Sequence, residues 1–413
     1  MSDFYPRFLH QRILEALEDS PVVLIHGPRQ CGKTTLAKLV GDERGYTYIT
    51  FDDDSQRAAA QYDPVGYVDD LPVFAVLDEV QRVPGLFTSL KRTVDKDRRP
   101  GRFILTGSAN ILLLPTLADS LAGRMELLRL HPLCQAELRR IKPAFIDQAL
   151  AAEFKPGVSG NRLGQRLAEI VVAGGYPAAL ARSTSGRRSV WYRNYAETII
   201  QRDIRDIAHI NAMHALPRLL SLTAAQTSCL TNITEIAAPF QISRTTVRDY
   251  LTLLSQIFLV DELPCWQSNL SNRVLKTPKL HIGDTGLACA LLGKTADSAW
   301  ADRSFFGKLL ETFIFHELRR LAVLRDTPIT FYHYRDKDKI EVDIVMELAD
   351  HVVGIEVKAS STIVESDFKG LRKLREISRS NFASGVLLYD GDATIGFGDR
   401  LYAVPISQLW SAG

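Results

Sequence analysis

Eight consecutive residues near the start of the chain have the types and spacing that bind phosphate. They run Gly27-Pro28-Arg29-Gln30-Cys31-Gly32-Lys33-Thr34, between an apolar run at 22–25 and a helical pattern that opens with Thr35. Glycines at both ends let backbone N–H groups and a helix N-terminus face an anion. In such a loop the lysine reaches the β- and γ-phosphates and the threonine hydroxyl holds Mg²⁺. The pattern therefore predicts a site for ATP and Mg²⁺, formed by residues 27–35.

A second acidic element follows the apolar run Val73-Phe74-Ala75-Val76-Leu77, which predicts a buried parallel strand. Asp78 and Glu79 come directly after it, at the end where ligands bind in open α/β sheets. We expect Asp78 to hold Mg²⁺ through water beside Thr34. We expect Glu79 to polarise the attacking water as a general base.

Small polar residues close a third predicted strand, residues 102–106. Thr106 and Ser108 are the candidates that could reach a γ-phosphate, and Asn110 lies further out. The sequence does not choose between Thr106 and Ser108. Asp52 and Asp53, after the strand predicted at 46–51, favour caps of the next helix over metal ligands.

The order of phosphate loop, Asp-Glu strand and Thr-Gly-Ser strand end resembles an AAA-type ATPase. The resemblance implies that a polar residue at the third strand end acts as the first sensor. Arg124, after the sensor strand, is typical of an arginine finger, which often acts on a neighbouring subunit and would then require a homo-oligomer. The alternative is a surface arginine that caps a helix. Arg29 is a competing phosphate or subunit contact.

The middle of the chain has helical periodicity, with a turn predicted at Gly174-Gly175-Tyr176-Pro177. The basic and aromatic run at 187–193 favours a solvated helix face over a nucleic-acid contact. Further on, a short helix at 232–238 and a turn precede Ser243, which has the type and place of an N-cap.

The helix predicted after Ser243 has one apolar and one polar face. Val247, Leu251 and Leu254 share the apolar face, while Arg244, Thr245 and Arg248 share the other. This layout is typical of a recognition helix in a winged helix-turn-helix, with wing strands at 258–263 and 279–282. Two roles stay open: DNA contact through Arg244, Thr245 and Arg248, or packing against the ATPase core or a partner.

The last third has the pattern of a nuclease core. A long helix at 305–318 carries Glu311, and strands predicted at 340–346 and 352–358 carry Asp343, Glu356 and Lys358. Carboxylates at Asp343 and Glu356 would hold Mg²⁺, and the lysine would stabilise charge or activate water. This arrangement resembles the PD-(D/E)xK phosphodiesterases, although Val342 stands where many members have proline. Glu311, Asp343, Glu356 and Lys358 are the matching catalytic positions.

Composition limits the function classes. The 413 residues are 46% apolar with a net charge of +2, so nucleic-acid contact must come from local patches. The five cysteines form no C-x-x-C pair, and no stretch has the pattern of a signal peptide or a membrane span. We therefore expect a cytoplasmic protein without membrane contact.

Taken together, the sequence predicts an α/β fold in four parts. These are a P-loop ATPase with a parallel sheet (1–135), a helical linker (136–215), a winged-helix-like domain (216–300) and a restriction-endonuclease-like α/β domain (301–413). Nearly the whole chain resembles prokaryotic AAA-type ATPases with a C-terminal nuclease-like domain. The expected function is ATP hydrolysis coupled to action on DNA, with cleavage open; the alternative is an ATP-driven switch or a DNA-binding regulator that does not cut.

Overall fold

The computed structural model describes residues 4–107, 121–158, 160–207, 215–240, 242–269, 273 and 276–412. It divides the chain into two compact units. The N-terminal unit is Pro6–Leu133 with Gln256–Phe258, and the C-terminal unit is Met1–Tyr5, Cys134–Ser255 and Leu259–Gly413. The boundaries predicted after residues 215 and 300 both fall inside the C-terminal unit, so the division into four domains stays a prediction.

The N-terminal unit alternates helices and strands. Its elements are α1 (Leu9–Asp19), β1 (Val22–His26), α2 (Lys33–Arg44), β2 (Thr47–Thr50), α3 (Asp54–Tyr62), α4 (Pro64–Asp69), β3 (Ala75–Asp78), α5 (Leu86–Lys96), β4 (Phe103–Gly107) and β5 (Met125–Arg129). The strands form one parallel sheet in the order β2-β3-β4-β1-β5. Because all strands run the same way, the phosphate loop, Asp78 and Thr106 lie at one edge of the sheet. The α/β fold with a parallel sheet is confirmed.

The strand predicted to begin at Val73 begins two residues later, at Ala75. Val73 and Phe74 are 46% and 40% exposed and precede β3, whose four residues are all buried. Asp53 caps α3 as predicted, accepting hydrogen bonds from the backbone of Ser55 and Gln56. Asp52 does not cap the helix and instead forms an ion pair of 2.6 Å with Arg82.

The C-terminal unit begins with helices. Its first elements are α6 (Gln135–Arg139), α7 (Phe145–Ala151), β6 (Gly157–Val158), α8 (Gln165–Ala173), α9 (Pro177–Leu180), α10 (Ser185–Ile207) and α11 (Ala215–Ala225). The turn between α8 and α9 requires glycine, because Gly174 has φ +69° and a Cβ there would lie 2.2 Å from Asp284 and from Tyr192.

A small antiparallel sheet follows, in the order β7-β9-β8. The elements of this segment are β7 (Cys229–Leu230), α12 (Ile233–Ala237), α13 (Arg244–Gln256), β8 (Val260–Leu263) and β9 (Lys279–Ile282). Ser243 accepts a hydrogen bond of 3.0 Å from the Thr246 backbone at the start of α13. The apolar face of α13 is buried, and Arg244, Thr245 and Arg248 are exposed.

The chain ends in a seven-stranded mixed sheet in the order β10-β11-β12-β13-β15-β14-β6. The elements are α14 (Thr285–Leu292), α15 (Ala296–Ala301), α16 (Arg303–Leu321), β10 (Thr330–Arg335), β11 (Glu341–Leu348), β12 (His351–Lys358), α17 (Lys369–Ser378), β13 (Phe382–Tyr389), β14 (Ala393–Gly396) and β15 (Leu401–Pro405). Strands β10, β11 and β12 form an antiparallel meander, and β13 pairs parallel with β12. Leu371 and Leu374 of α17 pack in the core of this sheet with Val342 and Val345.

Candidate functional site

The phosphate loop lies directly after β1, and its two glycines have conformations that other residues rarely adopt. Gly27 has φ +145°, and a Cβ there would lie 2.2 Å from the carbonyl oxygen of Leu130. Gly32 has φ +103° and precedes the first turn of α2. The loop thus folds back closely on the backbone after β5, which leaves its concave side for a ligand.

Lys33 is 5% exposed and lies inside the loop. Its Nζ donates hydrogen bonds to the carbonyl oxygens of Gly27 at 3.0 Å and Pro28 at 2.8 Å. The ammonium group is therefore held where a phosphate cradled by the loop would need a positive charge. Thr35 is exposed in the first turn of α2, and Gln30 has φ +60°.

Arg7 contacts the backbone of the loop, and no local sequence pattern predicts this contact. Its guanidinium donates to the carbonyl oxygens of Cys31 at 2.7 Å and His131 at 2.5 Å. Cys31 itself is fully buried, and its thiol donates to Leu130 O at 3.5 Å. Cys31 therefore packs as a small buried residue.

Asp78 is the centre of the site, because four hydroxyl groups donate hydrogen bonds to its carboxylate. Thr34 at 2.9 Å and Thr106 at 2.5 Å contact Oδ1, while Tyr48 at 2.8 Å and Thr50 at 3.3 Å contact Oδ2. Burial and the neighbouring Asp78 raise the pKa of Tyr48, so the phenol stays a donor.

These oxygen atoms suit a hard cation. Thr34 Oγ1 and Asp78 Oδ1 are adjacent oxygen donors beside the loop, and Mg²⁺ binds through one or two protein oxygens together with water and phosphate. The residues present therefore fit Mg²⁺, with Thr34 and Asp78 as the groups that would hold it. Bound there, the ion would neutralise phosphate charge.

Glu79 lies beside the loop in a left-handed conformation, with φ +59°. Its backbone N–H donates to Thr106 Oγ1 at 3.0 Å, which joins the ends of β3 and β4. Its carboxylate lies 3.7 Å from the guanidinium of Arg29 and accepts a hydrogen bond from Gln81. The predicted general base and the loop arginine thus form a pair.

Three other predicted residues, Ser108, Asn110 and Arg124, have different outcomes. Ser108 and Asn110 lie outside the described residues, so Thr106 is the sensor candidate whose contacts are known. Arg124 precedes β5, where Met125 pairs with Val22 at the amino end of β1, so it lies at the edge of the sheet opposite the phosphate loop. Its guanidinium contacts both oxygens of Asp95, at 2.6 and 3.0 Å. If Arg124 is an arginine finger, it must therefore act at the phosphate site of a neighbouring chain.

The C-terminal unit brings together three of the predicted nuclease residues. The antiparallel register that pairs Ile344 with Ile355 places Asp343 of β11 across from Glu356 of β12, and Glu311 comes from α16. Asp343 Oδ2 also accepts a hydrogen bond of 3.0 Å from the Val357 backbone. We call Glu311, Asp343 and Glu356 the carboxylate cluster.

Lys279, the first residue of β9, enters this cluster. Its Nζ lies 2.8 Å from Glu311 Oε1 and 3.4 Å from Asp343 Oδ1, and the residue is only 4% exposed. The sequence does not reveal this contact, because Lys279 is 32 residues from Glu311 and 64 from Asp343.

Burial and the short distances between charged groups shift the pKa values of the cluster residues and of Lys279. Burial and then Asp343 raise the pKa of Glu311 to about 8, and the same two causes raise the pKa of Glu356 well above its ordinary value. Burial alone would lower the pKa of Lys279, but Glu311 and Asp343 outweigh it, so its pKa is raised and the amine stays charged.

Lys358, the fourth predicted nuclease residue, forms its ion pair outside the carboxylate cluster. Its side chain is 41% exposed, and its Nζ pairs with Asp367 at 3.0 Å. Glu341 pairs with Arg335 at 2.6 Å. Within the described part of the chain no group of three or more His, Cys, Asp or Glu side chains is arranged to hold a metal ion. With the ammonium of Lys279 against Glu311 and Asp343, the cluster does not fit the divalent cation predicted at Asp343 and Glu356.

Comparison with known proteins identifies three segments. Residues 19–139 match an AAA domain, and residues 164–298 and 306–409 match two domains of unknown function, DUF8612 and DUF4143. Uncharacterized proteins of Mycobacterium tuberculosis (Rv2008c) and Mycobacterium bovis (Mb2031c) are each 30% identical over 404 residues, which is 97% of this chain and 84% of theirs. The chain belongs to the family of these mycobacterial proteins. Its first third is an AAA-type P-loop ATPase domain.

Three solved structures show a distant likeness to this chain. The Walker-type ATPase PABY2304 of Pyrococcus abyssi matches with a TM-score of 0.44 and 15% identity, over 70% of this chain and 96% of that one. AMPPCP-bound DnaA from Aquifex aeolicus matches with a TM-score of 0.28 and 17% identity, over 60% and 86%. The Holliday junction branch migration motor RuvB of Thermotoga maritima matches with 0.30 and 16%, over 62% and 89%. At these scores the likenesses carry no argument about function.

No helix among the described residues is long and apolar enough to cross a membrane.

Proposed function

We propose that the chain is a Mg²⁺-dependent ATPase whose nucleotide state controls a DNA-contacting winged helix, and that its C-terminal domain does not cleave DNA. One observation carries the ATPase part: Asp78 accepts hydrogen bonds from Thr34 of the phosphate loop and from Thr106 of the neighbouring strand. These contacts join the loop, the metal-binding carboxylate and the sensor in one network. A change at the phosphates is therefore transmitted to the end of β4.

Hydrolysis is assigned to Glu79. Its backbone is fixed to Thr106, and its carboxylate lies at the same sheet edge as the loop. A carboxylate there can orient and deprotonate water for in-line attack on the γ-phosphate. Because Arg29 pairs with that carboxylate, a nucleotide that attracts Arg29 would release Glu79 for this role.

The DNA part rests on the elements from α11 to β9. One helix, a short strand, two helices and two strands, with the sheet order β7-β9-β8, form the pattern of a winged helix-turn-helix. Arg244, Thr245 and Arg248 are exposed near the start of the second helix of the pair. In this motif such residues contact DNA in the major groove.

The contacts made by the carboxylate cluster do not support DNA cleavage. The helix, hairpin and strand order of the PD-(D/E)xK resemblance is present, but Lys279 pairs with Glu311 and Asp343, and Lys358 pairs with Asp367. A fold of this kind that is kept for binding, without cutting, is consistent with both contacts.

ATP turnover with and without duplex DNA tests the proposal. We expect turnover that Lys33→Ala abolishes and that DNA changes. The matched variant Lys96→Ala, at an exposed position at the end of α5, should keep turnover. Turnover that survives Lys33→Ala would disprove the ATPase assignment. Turnover that a protein partner changes and DNA does not would instead favour a switch without DNA contact.

A further inference from the structure

We infer that the ammonium group of Lys279 takes the place of a divalent cation in the carboxylate cluster, so that this nuclease-like site is closed to metal ions. The cluster has the composition of a cation site, with Glu311, Asp343 and Glu356 contributed by one helix and two adjacent strands. The positive charge in the cluster comes from Lys279, a residue of the chain itself. The inference rests on the non-cleaving part of the proposed function, and it is independent of the ATPase part, which concerns a different unit.

The position of Nζ excludes a second cation. A metal bound to Glu311 and Asp343 would lie about 2.0 to 2.6 Å from their oxygens. The ammonium already lies 2.8 Å from Glu311 Oε1 and 3.4 Å from Asp343 Oδ1. Both cations would therefore share one small buried volume, where their repulsion is only weakly screened.

The backbone of Lys279 is held on both sides. β9 is the central strand of its sheet, and Lys279 pairs with Leu230 of β7 and with Leu263 of β8. The amine therefore reaches the cluster from a fixed backbone position. Within this fixed backbone, burial of the side chain and the ion pairs with Glu311 and Asp343 hold the amine in the cluster.

Two residues between β8 and β9, Trp266 and Arg273, also contact strands β10 and β11. Trp266 donates from its backbone to His333 O at 2.6 Å and from its indole to Glu347 at 2.9 Å. Arg273 contacts both oxygens of Glu347, at 2.6 and 2.8 Å. Glu347 lies on β11, the strand of Asp343, so these contacts attach Trp266 and Arg273 to the strand that carries part of the cluster.

Manganese binding to the full chain without nucleotide tests the inference. Mn²⁺ bound to protein is counted from the loss of the free-ion electron paramagnetic resonance signal. We expect wild type and Asp343→Asn to bind Mn²⁺ equally weakly. We expect Lys279→Met to gain one site, at least about tenfold tighter, that disappears in Lys279→Met/Asp343→Asn. Lys279→Arg, which keeps a cation on β9, is the matched control and should gain no site.

Three results would overturn the inference. The first is a wild-type Mn²⁺ site that Asp343→Asn removes, or Mn²⁺-dependent DNA cleavage by wild type that the same variant abolishes. The second is a folded Lys279→Met protein that gains no site, and the third is Lys279→Arg gaining the same site as Lys279→Met. If Lys279→Met does not fold, Lys279→Ala replaces it and the wild-type comparison with Asp343→Asn still decides.

Discussion

Glu79 and Asp78 are adjacent carboxylates with different surroundings, and this difference separates their roles. Asp78 receives four hydroxyl donors, whereas Glu79 contacts Arg29 and Gln81. In the proposed function, Asp78 would therefore hold the metal ion, and Glu79, which pairs with Arg29, would act as the general base.

The substitution Glu79→Gln should separate binding from chemistry. The amide keeps the size of the side chain but cannot accept a proton, and a general base contributes about 10² to 10⁴-fold to rate. We expect ATP turnover to fall by about that factor while the affinity for ATP stays close to wild type. Turnover and fluorescent-nucleotide binding measure the two effects, and unchanged turnover would show that Glu79 is not the base.

Gly27→Ala should damage the loop by steric collision. The new Cβ would lie 2.2 Å from Leu130 O at φ +145°, so the loop must shift. We expect loss of ATP binding and a lower thermal midpoint. Gly45→Ala is the matched control: its φ is +73° but no atom lies within 4 Å, so it should cost about 1 to 2 kcal/mol and leave ATP binding intact. Equal binding by both variants would contradict the steric argument.

Local patterns revealed the residues whose roles depend on their neighbours in sequence. The loop, Asp78 and the cap at Asp53 are of this kind. Arg7, Tyr48 and Lys279 could not be found in this way, because their partners are 24 to 124 residues away and depend on which strands become adjacent. Thr50, for example, meets Asp78 because β2 pairs with β3 in that register.

At the scale of elements, α13 is the helix whose role can be tested separately from the rest of the chain. The sequence predicted its start, its cap and both its faces, because an amphipathic helix repeats its pattern every few residues. The pairing of β9 between β7 and β8 was not predictable, since a four-residue strand carries too little alternation to choose its neighbours.

The double variant Arg244→Ala/Arg248→Ala should weaken DNA binding through lost phosphate contacts. Each contact contributes about 0.9 to the dependence of log K on log salt, so two lost contacts should reduce that slope by about 1.8. Fluorescence anisotropy over a range of salt concentrations measures it. Arg98→Ala/Arg99→Ala removes the same charge from exposed positions of the N-terminal unit and should leave the slope unchanged. Equal slopes for all three proteins would disprove DNA contact by α13.

At the scale of the whole molecule, buried histidines make folding sensitive to acid. Burial is the main cause that lowers the pKa of His316 to about 3, and its Nε2 lies 2.7 Å from Ile282 O. The unfolded chain binds this proton below its ordinary pKa of 6.5, while the folded chain does not until about 3. The contribution of His316 to stability should therefore be lost as pH falls through this window, by up to about 1.4 kcal/mol per pH unit.

His316→Gln tests this effect, because glutamine keeps an N–H donor for Ile282 O and does not titrate. We expect the free energy of unfolding to vary less between pH 6 and 4 than in wild type, as followed by urea denaturation. His351→Gln, at an exposed position on β12, is the control and should keep the wild-type slope. A slope unchanged by His316→Gln would show that another group is responsible.

The short segment Gln256–Phe258 makes the N-terminal unit discontinuous in the chain. Phe258 is 5% exposed, its ring lies 6.1 Å from that of His26, and the Arg129 guanidinium lies 4.8 Å from its centre. A fragment ending at Leu133 would lack this ring, and it would uncover the side chains of Arg129 and of His26, the residue that precedes the phosphate loop. The ATPase unit therefore cannot be excised, or exchanged between proteins by recombination, as one linear block without losing part of its own core.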